Sequence, residues 1–225
     1  MTESPRFVLP GTWGRIDLRS NARMERTIRQ LVERTLGRAD SLAAVRGELR
    51  GRFRSAVELA MTQGAVDFYV SLELAPGVPL PAWLAVILPA FESDEFARLG
   101  GSEVADALTR QLTLSEPRGA EPVLRLAPEA SASTEATSRD PISAVRQVVH
   151  RTEPAVDEVP SMDILRVDYW LAATSPNRVA LLSFSTALAE LEEPLLGLFD
   201  AIVGTARWPL ATPAKSPHLV TEGMA

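Results

Sequence analysis

His150 and His218 are the only histidines of the chain, and no cysteine accompanies them. A zinc centre needs three or four Cys, His or carboxylate ligands held at fixed spacing. Here one histidine lies in an apolar run of strand character and the other in a polar tail, with no second ligand beside either. Without cysteine there is no thiolate nucleophile and no disulfide. No serine sits in a G-x-S-x-G elbow. Ser183 and Ser185, which flank Phe184, read as the outer face of a strand. Asp157, Glu158, Asp163 and Asp168 crowd one region. Their spacing fits neither an EF-hand loop nor a paired-carboxylate motif, and a solvated loop and strand face accounts for them. Phosphate-cradling G-x-x-x-x-G-K and G-x-G-x-x-G patterns are absent. In "LGGSEV", Gly100, Gly101 and Ser102 precede a helix whose free N–H groups could hold an anion, but a helix stop followed by a cap explains the same residues. The residues therefore name no catalytic group, no cofactor site and no metal site.

Two features are better suited to contact than to chemistry. Arg46, Arg50 and Arg54 recur every fourth residue and so line one helix face, beside the apolar row Val45, Leu49 and Phe53. They suit an acidic partner or anionic headgroups; the plainer reading is a solvated flank whose long side chains cover the edge of the core. The loop "PGVPLPAW" is apolar although it must sit at a hairpin tip. Val78, Leu80 and Trp83 are the candidate contact surface there, the plainer alternative being that they pack beneath neighbouring helices.

The elements that must position these residues follow from periodicity. "RFVLPGTWGRIDL" is a short extended opening, broken by Pro10-Gly11. Met24, Ile28, Leu31, Val32 and Leu36 predict a helix capped by Ser20 or Asn21 and stopped at Gly37. Leu42, Val45, Leu49, Phe53, Val57 and Ala60 predict a second, capped by Asp40 or Ser41 and ended by Gly64. Together they form a helical hairpin or one kinked helix with an apolar stripe facing a sheet. The period then changes to two. In "AVDFYVSLEL", Val66, Phe68, Val70, Leu72 and Leu74 face a core while Asp67, Tyr69, Ser71 and Glu73 form a wet face. "AWLAVILPA" is apolar throughout and reads as a strand buried on both sides.

Short helices are predicted over 93–99 and 102–112, and a brief strand in "EPVLRLAP". Residues 128–141 are small and polar, a flexible loop inside the domain. "SAVRQVVHR", "DILRVDYWLAAT" and "VALLSFST" then predict an antiparallel meander, with "SPNR" as a hairpin turn. Leu191, Leu195, Leu198, Phe199, Ile202 and Val203 predict a closing helix, ended near Trp208-Pro209. Residues 211–225 read as a polar, disordered tail. The predicted fold is α+β: one single-domain sandwich over residues 1–210, an antiparallel β-sheet flanked by helices.

Composition bounds the function. Of 23 basic residues only Lys215 is lysine, which predicts a high-GC bacterial coding sequence. Residues 1–60 hold 12 arginines against seven carboxylates, while the rest holds 11 basic against 22 acidic residues. A net charge of −6 argues against general nucleic-acid binding. No run approaches the ~20 apolar residues of a transmembrane segment. No apolar stretch behind a basic start marks a secretory signal in "MTESPRFVLPGTW". A cytoplasmic location is expected.

The opening "FVLPGTW", the helix after it, the antiparallel meander and the closing "LLSFST…LLGLFDAIVGTARW" resemble the PsbP-like α/β/α sandwich. That group includes photosystem accessory proteins, a nuclear-import Ran-binding factor and small actinobacterial lipoproteins. The likeness touches the first 20 and last 45 residues, and it lacks the lipobox cysteine of the lipoproteins. It implies a non-enzymatic binding or assembly role and transfers no site residue. The expected function is thus an accessory or scaffold protein that contacts a protein partner. The alternatives are an enzyme or small-molecule binder with a sheet–helix cleft, and peripheral attachment to anionic surfaces through the Arg-rich helices.

Overall fold

The computed structural model describes residues 4–89, 101–114, 124–126, 142–153, 161–173 and 179–208. Among them are seven strands: β1 (Thr12–Ile16), β2 (Ala65–Glu73), β3 (Ala82–Ile87), β4 (Leu124–Leu126), β5 (Ile142–Glu153), β6 (Met162–Ala173) and β7 (Val179–Thr186). Four α-helices accompany them: α1 (Asn21–Leu36), α2 (Ala43–Thr62), α3 (Gly101–Leu114) and α4 (Glu192–Gly204). The strands make one antiparallel sheet in the order β1-β2-β3-β7-β6-β5-β4. The chain therefore lays down one meander, crosses through α3 to the far edge, and returns strand by strand until β7 closes against β3. The α+β prediction holds. The helix predicted at 93–99, the loops at 128–141 and 175–178, and the tail at 211–225 lie outside the described residues.

Residues opposite one another on paired strands share a face. On the first face stand Leu84, Val86, Leu165, Val167, Tyr169, Leu171, Leu182 and Phe184. Helix α4 covers them with Leu195, Phe199, Ile202 and Val203, and Trp208 completes the cluster. Phe184 is the hinge of this packing, stacked on Phe199 with centroids 4.4 Å apart and edge-on to Tyr169 at 5.8 Å. On the second face, Phe68, Val70, Ala85, Ile87 and Leu181 meet Met24, Ile28, Leu31 and Val32 of α1 and Val57 and Ala60 of α2. Further along that face α3 sets Val104 and Leu108 against Ala172 and Val179.

Local signals explain the helical hairpin. Ser20 Oγ accepts from the Arg23 backbone N–H, and Gly37 ends α1 at φ +71°. α2 differs from expectation at its start: Asp40 and Ser41 belong to a single 3₁₀ turn and cap nothing through their side chains. At Gly14 a Cβ would come within 2.1 Å of Leu31 Cδ2, so any side chain there requires Leu31 to move. That glycine lets α1 settle onto β1.

The wet face predicted for β2 is dry except at Glu73. Asp67 and Ser71 are buried and Tyr69 is half-buried. The N-terminal segment crosses them: Phe7 meets Tyr69 edge-on at 5.8 Å, and Arg6 and Arg207 exchange two backbone hydrogen bonds of 2.8 Å. Asp67 is bound by Arg15 and accepts from Ser4 Oγ at 3.4 Å. Val66, predicted to face the core, is exposed instead, because a bulge between Ala65 and Asp67 leaves it out of register.

Candidate functional site

The β2–β3 tip divides its three candidate contact residues. Ala75, Pro76, Gly77 and Val78 form a tight turn, closed by the Val78 N–H on the Ala75 carbonyl, with Gly77 at φ +76°. Val78 projects from it, 49% exposed. Leu80 does not join it: at 4% exposure it belongs to the core under α4. Trp83 points to the other face, opposite Val70 and Ser185, and packs half-buried against the α1–α2 cluster. The expected apolar tip is therefore one valine, since strand alternation sends its neighbours to two different cores.

The three candidate arginines of α2 stay on the surface, each with an internal acceptor. Arg54 grips Glu25 of α1 with Nε and NH2. Arg46 NH1 donates to the carbonyls of Ala39 at 2.6 Å and Gly37 at 3.3 Å, beyond the end of α1. Arg50 Nε donates to the Arg46 carbonyl at 3.2 Å.

Two polar clusters emerge that composition did not name. On the second face Asp168, 2% exposed, accepts from Ser183 Oγ at 2.6 Å and from Arg166 Nε and NH2. Gln147 lies directly opposite on β5 and Ser185 opposite Arg166 on β7. Burial works against the charge on Arg166, but the Asp168 hydrogen bond and attraction outweigh it and raise its pKa. So the acid expected on a solvated face is a buried side chain, and Ser183 is its donor, not an idle outer-face residue. On the first face Asp200 of α4 accepts from Tyr169 Oη at 2.6 Å and Arg146 NH1 at 2.7 Å. Burial first, and then the Asp200 carboxylate, push the Tyr169 phenol well above its ordinary pKa. It remains a proton donor at neutral pH.

Neither cluster assembles a proton relay. Asp168 already accepts from a guanidinium and a hydroxyl, and no histidine or second carboxylate stands beside it in the cluster. His150 stands on the opposite face of β5 from Gln147, its Nε2 3.1 Å from Glu192 Oε2. No Ser–His–Asp arrangement can form from these positions. Among the described residues no group of three His, Asp or Glu side chains is placed to hold a metal ion, and no helix is long and apolar enough to cross a membrane. Asp163 accepts from Thr152 Oγ1 at 2.7 Å on the exposed end of the β5–β6 ladder. Asp157, Glu158 and His218 lie outside the described residues, as does Gly100; Gly101 and Ser102 open α3.

Part of this was readable in advance. Arg166 and Asp168 are two apart in a strand and must share a face. A lone Asp200 inside "LLGLFDAIVG" signals a buried partner. The identity of those partners comes only from the sheet order. No protein-family model matches the chain, and no curated protein or solved structure matches it either.

Proposed function

We propose that the chain is a non-enzymatic accessory or scaffold protein of a bacterial cell, working in the cytoplasm through contact with another protein. The observation that carries this reading is a division of labour among polar side chains. The two polar clusters are bound internally, Asp168 by Arg166 and Ser183 and Asp200 by Tyr169 and Arg146. Turned outward, beside exposed carboxylates such as Glu73, Asp163 and Glu193, are guanidinium groups and scattered apolar side chains, among them Val45, Leu59 and Val78, which suit recognition of a surface. The resemblance to the PsbP-like sandwich points the same way.

Affinity purification of the tagged chain from its own host tests the reading, with Val78→Ser as a second bait. Recovery of a defined protein at near-stoichiometric yield supports it, and a loss on the Val78→Ser bait places the hairpin tip in the contact. A chain that elutes alone, at low as at physiological salt, overturns it.

A further inference from the structure

We infer that the outer groove between α1 and α2 is the docking surface for an acidic helical segment of a partner protein, whose carboxylates meet Arg29 and Arg50. The inference rests on the accessory reading and names its surface.

The charge of the hairpin is unbalanced where it matters. Residues 21–62 hold nine arginines against five carboxylates. Three of those carboxylates are taken, Glu25 by Arg54, Glu33 by Arg38 and Glu48 by Arg52. The other two, Asp40 and Glu58, lie toward opposite ends of α2. Among the described residues Arg26, Arg29, Arg34, Arg46 and Arg50 have no ion-pair partner.

The geometry gathers part of this excess into one place. The Arg54–Glu25 pair fixes the register of two antiparallel helices. One turn further along α1 is Arg29, and one turn back along α2 is Arg50. The next rung of the seam is therefore cation beside cation. Glu25 reports the crowding: the Arg54 hydrogen bond, and then the fields of Arg54, Arg29 and Arg50, hold its carboxyl below the ordinary range. One carboxylate serves three guanidinium groups. A carboxylate arriving from outside would relieve that rung.

The ground beside the rung is open. From Ala43 to Ala56 no residue of α2 is fully buried; Leu49, Phe53 and Ala56 pack half-buried at the edge of the core, and only Val57 and Ala60 enter it. Gly47 and Gly51 follow Arg46 and Arg50, so they lie about 100° further round the helix, on its outer side. A Cβ at either would meet nothing within 4 Å. A helix backbone can approach there to the short distances that small residues permit, which brings its side chains within reach of Arg29 and Arg50. Residues 61–225 carry 22 acidic against 11 basic residues. That field opposes a broad polyanionic surface more than a narrow segment lying in the groove.

The probe is a fluorescein-labelled helical peptide with Glu at every fourth position and Ala on the adjoining face, read by anisotropy against a Gln counterpart. Wild type should bind the Glu peptide at least about tenfold more tightly, with the preference falling as salt rises. The double variant Arg29→Gln/Arg50→Gln should lose about tenfold. Gly51→Leu leaves the charge intact and should lose a comparable factor by closing the groove. Both variants lie on the surface, and unchanged thermal melts certify their fold. Equal binding of Glu and Gln peptides overturns the inference, as does full binding by the double variant. Full binding by Gly51→Leu overturns it too, by reducing the effect to unspecific attraction. Binding of wild type to phosphatidylserine-rich vesicles, without binding to the Glu peptide, assigns the arginines to a membrane and also overturns it. Failure here is distinct from failure of the accessory reading. If wild type and double variant capture the same host protein at equal yield, the contact lies elsewhere on the chain; if neither captures one, the accessory reading itself falls.

Discussion

Helix α4 has 13 residues, of which four are buried; α2 has 20, of which two are buried. Both lie on the same sheet. α4 reaches the core along its length, with Leu195, Phe199, Ile202 and Val203 set into the first face and Asp200 bonded to two residues of that face. α2 buries residues in the second-face core only with its final two turns; before them Leu49 and Phe53 pack half-buried at its edge, while Arg54 ties the helix to α1 and Arg46 to the α1–α2 turn. The shorter helix is therefore structural and the longer one is mostly surface. Length alone would have ranked them the other way.

The comparison breaks most visibly at the aromatic residues. Phe199→Ala removes a fully buried ring that stacks on Phe184, and should cost about 3–5 kcal/mol of stability. Phe53→Ala on α2 removes a half-buried ring at the edge of its cluster and should cost no more than about 1–2 kcal/mol. Urea denaturation measures both. Equal losses would mean that α2 is as deeply built into the fold as α4, and the contrast would be lost.

A second pair of variants sharpens it within the hairpin. Gly14→Ala drives a methyl into Leu31, so Leu31 must leave its rotamer or α1 must shift off β1, at a cost of about 1–3 kcal/mol. Here α1 behaves like α4, pressed against the sheet with no room to spare. A melting temperature unchanged by Gly14→Ala would show that the α1–β1 packing has slack and that Leu31 gives way without cost.

These contrasts were unequally legible in the sequence. Helix positions and the meander followed from periodicity, and Gly37 marked its boundary, because each depends on residues within a turn or two. Which residues of "AVDFYVSLEL" stay dry could not be read that way. The cover over Asp67 and Tyr69 comes from Ser4 and Phe7, more than 60 residues away, and it is clamped by Arg207 from near the other end of the described chain. The same limit applies to the candidate site. The row Arg46, Arg50, Arg54 was visible as a row, but its meaning depends on Glu25 and Arg29, which only the antiparallel register of α1 brings beside it. For Leu80 the sequence left contact and burial both open: it stands before Pro81, ahead of the first ladder residue of β3, so strand parity alone does not place it, and the structure buries it.

The smallest expected effect has the opposite sign. Glycine inside a helix is about 1 kcal/mol less favourable than alanine, and at Gly51 the added methyl meets nothing within 4 Å. Gly51→Ala should therefore stabilise the chain by up to about 1 kcal/mol, read as a higher urea midpoint with an unchanged slope. The same methyl at Gly14 destabilises, so one substitution made twice in one hairpin separates the packed helix from the overhanging one. If Gly51→Ala destabilises instead, the outer side of α2 is filled in solution by something in the chain itself, and the groove beside Arg29 and Arg50 is not open to a partner. If it stabilises, the fold alone does not require a glycine there, and the space above it is left for whatever approaches those two arginines.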